Sequence, residues 1–271
     1  WPLTHIAILM GIYTIAGRLP PYGDSAALWF ATGIVPFMVF SYSSRLIMYG
    51  LILNRPLLVF PTIKIMDILL ARAIDSVLGQ TMTDWALVIV NDGGDPAPVQ
   101  ALLDARKAAL QGRAMLINNP SSTGMENASN AGITNSASEF LVIHDDDDAW
   151  DPDFLRRCVT HLDRVSPDVG GVVTHATVVV EDIEGDLVIE RSRHLFKNTK
   201  AVELAKMSVE NQFPPISFLF RRSAMETVGQ FDGTLPVLGD WDFHLRMAKR
   251  YRIDVIAEPL AYYHHRTAGT T

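Results

Sequence analysis

Six aspartates in a short stretch are the residues of this chain best suited to chemistry. They follow an apolar run at residues 140–143 and are Asp145, Asp146, Asp147, Asp148, Asp151 and Asp153. Carboxylates crowded at the end of a buried strand repel one another, and a hard divalent cation with oxygen ligands offsets that repulsion. In an extended segment Asp145 and Asp147 project to the same side. They could therefore hold one metal ion and leave coordination positions open for a diphosphate.

A second interpretation of the same stretch is a solvated acidic turn that leads into a helix. Asp151, Pro152 and Asp153 suit it, because acids and proline favour the first turn of a helix. The D-x-D-x-D-G spacing of a calcium loop is absent. We therefore interpret Asp145, Asp147 and Asp148 as metal or substrate ligands.

The elements around these acids alternate between short apolar runs and segments of helical periodicity. Strands are predicted at 85–90, 114–117, 140–143 and 171–180, and helices at 71–78, 99–110, 125–137 and 154–165. This alternation predicts an α/β fold with a mainly parallel, doubly wound sheet flanked by helices. Ligands of such sheets bind beyond the carboxyl ends of the strands. Asp92 and the Asp145 cluster both lie at predicted strand ends.

Composition narrows the class of protein. The 271 residues are 48% hydrophobic with a mean hydropathy of +0.16, so disorder is excluded. The net charge of −7 argues against a general nucleic-acid binder. A single cysteine, Cys158, excludes an intramolecular disulfide framework and a multi-cysteine zinc site, and we interpret it as a small core residue.

The amino-terminal part is more apolar than the rest. Residues 1–17 and 25–44 carry no formal charge, and 20 helical residues span about 30 Å, the thickness of a bilayer core. We expect membrane contact through residues 1–56, and the alternative is a buried helix pair. A signal peptide is not expected. The shift in composition predicts an apolar helical segment over residues 1–68 and an acidic domain over residues 69–271.

Three stretches in the acidic part resemble glycosyltransferase family 2. They are DSVLGQTMTDWALVIVNDGG, NNPSSTGMENASNAGITNSASEFLVIHDDDDAW and GDWDFHLR, in that order, and the resemblance covers about residues 70–266. It implies a GT-A fold and the transfer of a sugar, with inversion, from a nucleotide-sugar to an acceptor hydroxyl. It further implies a UDP-sugar as the first choice of donor, a saccharide or lipid-linked acceptor, and Mn²⁺ or Mg²⁺ as cofactor.

The resemblance assigns donor-side roles to six positions: Asp92, Gly124, Asn130, Asp145, Asp147 and Asp148. Asp92 matches the acid that contacts the nucleotide base. Asp145 matches the first acid of the D-x-D motif, near the ribose and the metal, and Asp147 matches its metal-binding acid. Asp148 matches an extra acid often found beside them. Gly124 and Asn130 belong to the segment that lines the donor site.

The segment GDWDFHLR supplies the candidate general base. Displacement at an anomeric carbon needs a group that takes the acceptor proton, and a partly desolvated carboxylate suits this role. Asp240 occupies the matching position, Asp242 is its rival, and Gly239 replaces the usual first acid. The alternative is a plain helix start with Asp240 as its N-cap. Trp241 could stack under a sugar or pack in the core.

The carboxyl-terminal residues 262–266 could complete the site. A histidine there, His264 or His265, is a candidate metal ligand, and the two cannot be separated by sequence. Arg266 is a candidate for holding the diphosphate through charge-assisted hydrogen bonds. The alternative is a surface tail. Only His264 is carried into the predicted metal set, with Asp145 and Asp147.

A second resemblance covers about residues 10–74. The pieces PPYGDS, ATGIVPF and NRPLL are similar to the middle of an ABC-type polysaccharide export permease and come in the same order. Family 2 enzymes begin with a strand that touches the nucleotide, and here residues 57–62 are apolar enough to serve as a substitute for it. We therefore interpret the chain as a fused gene product whose junction lies at residues 69–74.

These observations favour a metal-dependent inverting glycosyltransferase in surface polysaccharide assembly. One alternative is a membrane component of a polysaccharide exporter that carries an inactive domain. Another is a metal-dependent phosphohydrolase, since clustered acids serve that chemistry too. The expected location is the cytoplasmic face of a bacterial inner membrane, or the cytoplasm if the amino-terminal segment does not insert.

Overall fold

A computed structural model describes residues 65–184, 187–235 and 237–266, all of which belong to one compact unit, residues 63–271. The first half of these residues forms α1 (Ile65–Leu78), β1 (Leu87–Asp92), α2 (Pro96–Ala105), α3 (Lys107–Leu110), β2 (Ala114–Asn119), α4 (Met125–Thr134), β3 (Phe140–Val142), β4 (Ala149–Trp150) and α5 (Phe154–Arg164). The second half forms β5 (Val169–Glu184), β6 (Leu187–Leu195), α6 (Leu204–Met207), β7 (Phe218–Arg221), α7 (Arg222–Val228), α8 (Gly239–Arg250) and β8 (Arg252–Arg266).

The strands of the described residues form two sheets. β1 and β2 pair in parallel and stand apart from a six-stranded sheet of order β3-β7-β5-β8-β4, in which β6 also pairs with β5. Within the described ranges β1 has β2 as its sole partner, and all six of its residues are half-buried. The α/β class and the strand-helix alternation are confirmed.

The prediction of a mainly parallel sheet is wrong. Among the described strands, β1 with β2 and β5 with β8 run in parallel, whereas the β3-β7, β4-β8, β5-β6 and β5-β7 pairs are antiparallel. β5 ends at Glu184 and β6 begins at Leu187, and a connection this short permits only an antiparallel hairpin. Apolar runs reveal that a strand is buried but not the direction in which it runs.

The six-stranded sheet is covered on both faces. Successive residues of β7 show this: Leu219 packs into the cluster under α5 with Phe154 and Cys158, whereas Phe218 and Phe220 pack with residues of α8. A strand buried on both faces has no polar side, which explains the continuous apolar run in β5. Cys158 is 0% exposed, so its prediction as a core residue is confirmed.

The predictions for the amino-terminal part lie outside the described residues. These are the membrane contact of residues 1–56, the substitute strand at residues 57–62 and most of the permease-like stretch. In the portion that the structure does describe, no helix combines the length and the hydropathy that a bilayer crossing requires.

Candidate active site

The acid loop, which we define as residues 143–148 between β3 and β4, gathers the predicted carboxylates. It closes on itself through a hydrogen bond of 3.3 Å from the Asp148 amide to the Asp145 carbonyl. Burial, reinforced by the charge of Asp147, raises the pKa of Asp145 to about 7. The charges of Asp146 and Asp240 act in the same direction. The fold therefore brings Asp240, from α8, into electrostatic range of the acid loop.

Asp148 joins the acid loop to the end of β8. Its side chain is fully buried, and Oδ1 accepts a hydrogen bond of 2.8 Å from the amide of His264. Its Oδ2 is buried and accepts no hydrogen bond from the described residues. Burial and the charge of Asp145 raise the pKa of Asp148 well above its usual range. In this arrangement Asp148 anchors the backbone of the acid loop.

Glu181 on β5 is a buried acid beside the acid loop that the sequence analysis did not single out. It is 5% exposed, and Oε1 accepts a hydrogen bond of 2.6 Å from Nη1 of Arg72 on α1. His264 Nδ1 lies 2.9 Å from the same oxygen, although its ring is not aligned for a linear hydrogen bond. Arg72 also donates to the main-chain oxygen of Asp147. α1, β5 and β8 thus support the acid loop from one side.

The electrostatics of Glu181 follow from these partners. Burial opposes its ionisation, but the contacts with His264 and Arg72 outweigh burial and lower its pKa. The parallel register of β5 and β8 places Glu181 opposite Arg266. No spacing in the sequence indicates this register, so the sequence offered no signal for Glu181 or Arg72.

The residues at the end of β8 separate into two groups. His264 points inward and its side chain is 7% exposed, whereas His265 is exposed and packs edge-on against Tyr263 at 4.3 Å. Of the two histidines, the structure therefore brings His264 to the acids. Arg266, predicted to hold a diphosphate, forms an ion pair with the Asp147 carboxylate.

The two acids at the start of α8 differ in their surroundings. The helix begins at Gly239 after Leu238, so Asp240 is in its first turn and is not its N-cap. Burial raises the pKa of Asp240, and the charge of Glu126 contributes. Asp242 accepts a hydrogen bond of 2.8 Å from Arg246 Nε. Asp240 is therefore the carboxylate available to accept a proton.

Trp241 packs towards the interior. Its indole Nε1 donates a hydrogen bond of 2.7 Å to the Met207 carbonyl, and its ring lies against the core cluster that contains Phe243. The sequence left two roles for Trp241, stacking under a sugar or packing in the core, and this placement agrees with packing in the core.

Asp92 organises the loop between β2 and α4. Its carboxylate accepts hydrogen bonds of 2.7 to 2.9 Å from Asn119 Nδ2, the Ser122 and Thr123 hydroxyls, and the Thr123 and Gly124 amides. Burial opposes ionisation, but these donors hold the pKa of Asp92 well below its usual range. Gly93, at φ 86°, touches the same loop: a Cβ there would lie 2.4 Å from the Ser122 amide nitrogen. Asp92 therefore fixes the loop rather than leaving its oxygens free.

Asn130 also binds backbone. Its Nδ2 donates 2.8 Å to the Phe231 carbonyl, and its Oδ1 accepts 3.0 Å from the Phe231 amide. This pair of bonds attaches the segment before α8 to the side of α4. The structure therefore gives Asn130 a supporting role between α4 and the segment that leads into α8.

The acid loop fits a hard divalent cation in its chemistry. Asp145 and Asp147 offer carboxylate oxygens, and the pKa of Asp145 is raised first by burial and then by the charges of neighbouring acids, which a bound cation would offset. The predicted set of Asp145, Asp147 and His264 is not assembled: no three His, Cys, Asp or Glu side chains in the described ranges converge as a metal site. Arg266 contacts Asp147 and would have to release it for a metal to bind.

Comparison with known proteins identifies the family. The family model described as "Glycosyl transferase family 2" matches residues 69–229, more than half of the chain. The chain belongs to glycosyl transferase family 2. The match begins at residue 69, where the predicted acidic domain begins. It therefore gives no support to the permease-like interpretation of the residues before it.

Two curated relatives show how similar this family 2 chain is to other glycosyltransferases in sequence. The "Uncharacterized glycosyltransferase YwdF" of Bacillus subtilis (strain 168) is 29% identical over 185 residues, which are 68% of this chain and 65% of the relative. The "PGL/p-HBAD biosynthesis glycosyltransferase" of Mycobacterium bovis (strain BCG / Pasteur 1173P2) is 24% identical over 190 residues, 70% of this chain and 68% of the relative. The chain thus spans about two thirds of the length of these relatives.

Solved structures establish the GT-A-like fold. S. aureus TarS 1–349 in complex with UDP-GlcNAc matches with a TM-score of 0.57 at 15% identity, over 76% of this chain and 57% of that one. The mannosyltransferase PcManGT of Pyrobaculum calidifontis, in complex with GDP-Man and Mn²⁺, matches with a TM-score of 0.53 at 16% identity, over 72% and 53%. Both likenesses concern the α/β fold with its mixed sheet.

Proposed function

We propose that this chain transfers a sugar from a nucleotide-sugar donor to an acceptor hydroxyl by a single inverting displacement. The proposal rests on the surroundings of Asp240. Its carboxylate is partly buried, its pKa is raised, and it interacts electrostatically with Asp145 of the acid loop. This reaction requires that the base lie close to the group that binds the diphosphate, which here would be a metal ion held by the acid loop. Family membership supports the same chemistry.

In the proposed reaction Asp240 is the general base. It accepts the proton of the acceptor hydroxyl while that oxygen attacks the anomeric carbon, and the bond from that carbon to the nucleoside diphosphate breaks. A carboxylate whose pKa is raised by burial is a better base than a solvated one, because its proton affinity is closer to the working pH. Asp242 is paired with Arg246 and is less suited to the role.

The leaving diphosphate needs positive charge. A divalent metal held by Asp145 and Asp147 would neutralise the charge that develops there. Arg266 is the side chain next to that place, and it can hold phosphate oxygens once it leaves Asp147. The nucleotide would lie beside the Asp92 loop, whose backbone the five hydrogen bonds fix in position.

The identity of the substrates is a further part of this proposal. Structural neighbours were solved with UDP-GlcNAc and with GDP-Man, and we propose a UDP-sugar as the first donor to test. A saccharide or lipid-linked acceptor, in surface polysaccharide assembly, agrees with a relative named "Succinoglycan biosynthesis protein ExoW" from Rhizobium meliloti (strain 1021). Membrane contact through residues 1–56 and a first strand at residues 57–62 remain predictions.

Calorimetric titration of the full chain tests the proposal. UDP is titrated with and without Mn²⁺ into the wild type, Asp147→Asn and Asp163→Asn, the last being an acid on α5 away from the acid loop. We expect binding that strengthens with Mn²⁺ and that Asp147→Asn weakens at least tenfold, with Asp163→Asn unchanged. GDP and dTDP replace UDP in parallel titrations. Failure of a folded wild type to bind any of the three nucleotides would contradict the proposal.

A further inference from the structure

Glu126, in the first turn of α4, is a buried acid without a protein partner. It is 6% exposed, and no group of the described residues donates a hydrogen bond to its carboxylate. Its carboxylate oxygens are not among the fully buried atoms that lack a partner, so they face space that water or a ligand can reach. A ligand there can supply the hydrogen-bond donors that the described residues do not. The sequence analysis did not single out this residue.

Glu126 fills the space that Gly239 leaves free. A Cβ built on Gly239 would lie 2.3 Å from Glu126 Cγ and 2.5 Å from Glu126 Oε1, closer than side-chain atoms can approach. Any side chain at residue 239 would therefore displace the Glu126 side chain. The glycine at residue 239, where the family usually has an acid, therefore makes room for the acid at residue 126.

The face of α4 that carries Glu126 is held against the segment that leads into α8. Asn130 exchanges two hydrogen bonds with Phe231, and Asn127 Nδ2 donates 3.4 Å to the Gly233 carbonyl. One turn closer to the start of α4, Glu126 lies against Gly239. The side chain is therefore fixed beside Asp240, and its charge contributes to the raised pKa of that acid.

The position of Glu126 lies between two parts of the proposed site. On one side is the loop that Asp92 holds through the Thr123 and Gly124 amides, two residues before Glu126. On the other side is Asp240, the proposed base. In a displacement reaction the transferred sugar lies between the nucleotide and the base, so its hydroxyl groups are the donors closest to this carboxylate.

We propose that Glu126 is a specificity-determining residue whose carboxylate accepts hydrogen bonds from hydroxyl groups of the transferred sugar. The inference rests on the proposed sugar transfer and goes beyond it by naming the residue that recognises the sugar. A carboxylate accepts from two neighbouring hydroxyls at once, so it discriminates sugars by the orientation of those hydroxyls.

The test compares the binding of a nucleotide with that of its sugar conjugate. The full chain is titrated with UDP and with UDP-GlcNAc, UDP-glucose and UDP-galactose, and with GDP and GDP-mannose, in Mn²⁺. For the preferred donor, we expect Glu126→Gln and Glu126→Ala to weaken binding of the nucleotide-sugar at least about tenfold, the loss typical of a hydrogen bond to a charged group. Affinity for the bare nucleotide should stay within about twofold. Glu226→Gln, at an exposed glutamate of α7, is the matched control.

A relocation variant distinguishes recognition from packing. Gly239→Glu alone should destabilise the fold through its clash with Glu126. The double variant Glu126→Ala/Gly239→Glu should regain part of the lost affinity for the nucleotide-sugar, because it returns an acid to nearly the same place.

The outcomes separate this inference from the proposed function. If wild type binds the nucleotide and its sugar conjugate but Glu126→Gln and Glu126→Ala leave both affinities unchanged, Glu126 does not recognise the sugar and the inference is wrong. Equal loss of nucleotide and nucleotide-sugar affinity would show a structural role and overturn it as well. If wild type binds no nucleotide at all, the proposed function fails first.

Discussion

Neighbouring carboxylates of one residue type acquire different chemistry from their surroundings. Asp240 is partly buried and has no cationic partner among the described residues, whereas Asp242, two positions along the same helix, is paired with Arg246 at 2.8 Å. Asp92 accepts five hydrogen bonds and is held ionised, whereas Asp148 is buried with one oxygen unpartnered among the described residues. Residue type therefore nominates candidates, and the environment assigns their roles.

The first prediction concerns the base. Asp240→Asn should lower the rate of sugar transfer by about 10² to 10⁴, the contribution typical of general base catalysis, because asparagine cannot take the acceptor proton. Binding of the donor should change little. The measurement is the initial rate of nucleotide release from the preferred donor, with Asp242→Asn as the matched control. Full activity of Asp240→Asn together with an inactive, folded Asp242→Asn would reverse the assignment.

The second prediction concerns pH and His244. Burial among Phe213 and Phe218 lowers the pKa of His244 to about 3. The unfolded chain binds a proton at this residue below about pH 6.5 and the folded chain does not, so stability is lost as pH falls through that range. Between pH 7 and pH 5 the loss is about 2 kcal/mol.

Urea unfolding of His244→Leu at pH 7 and pH 5 measures this contribution. The variant should lose about 2 kcal/mol less than wild type over that interval. His194→Leu, at an exposed position on β6, is the control and should follow the wild type. If His244→Leu and wild type lose the same stability, a charged His244 is tolerated in the core and the prediction is wrong.

At the scale of elements, α1, β5 and β8 act together on the acid loop. Arg72 of α1 reaches both Glu181 of β5 and the Asp147 carbonyl, and the His264 amide of β8 binds Asp148. The register of two parallel strands sets this arrangement. Rigid elements rather than the loop itself therefore position the carboxylates, as precise placement of a site requires.

The third prediction tests this support. Arg72→Met should destabilise the fold by about 2–3 kcal/mol, because it leaves Glu181 buried without its arginine. The estimate is kept below the cost for a fully buried pair because the Arg72 side chain is 26% exposed. Arg193→Met, which breaks the exposed pair with Glu190, should change the stability much less, because solvent screens that pair. Urea unfolding compares them, and equal effects would show that the Arg72 pair is no more than a surface contact.

The sequence predicted elements better than it predicted their pairing. The helix at 154–165 and the strand at 114–117 correspond to α5 and β2, because each has an unambiguous period. The predicted helix at 99–110 is two helices that meet at Arg106, whose φ of −106° and ψ of 7° interrupt the first. The antiparallel entry of β7 between β3 and β5 depends on long-range contacts, which a local pattern does not contain.

The candidate site also combines residues that a local sequence pattern indicates with residues that depend on distant contacts. Asp145, Asp147 and Asp240 could be proposed as candidates because acids at a strand end and at a helix start are visible in the sequence. Glu181 and Glu126 were missed because their importance arises only from partners more than 80 residues away, Arg72 and Gly239. His264 and His265 could be separated only when alternate strand faces were assigned to inside and outside.

At the scale of the whole molecule, one cysteine reports on the integrity of the core. Cys158 is 0% exposed on the buried face of α5, and burial raises the pKa of its thiol above its ordinary range. The fourth prediction is that a thiol reagent labels no cysteine in native buffer at pH 8 and one per chain in urea, because thiolate and access are both required. Rapid labelling of the native chain would show that the core opens locally.

The central claim is that this family 2 chain displaces a nucleotide from a sugar in one step, with Asp240 as base. The most direct measurement is real-time proton NMR of the full chain with its preferred donor, Mn²⁺ and a simple sugar acceptor. From an α-linked donor such as UDP-GlcNAc we expect a β-linked product, formed by Asp240→Asn about 10² to 10⁴ more slowly than by the wild type. An α-linked product, or undiminished turnover by Asp240→Asn, would contradict it.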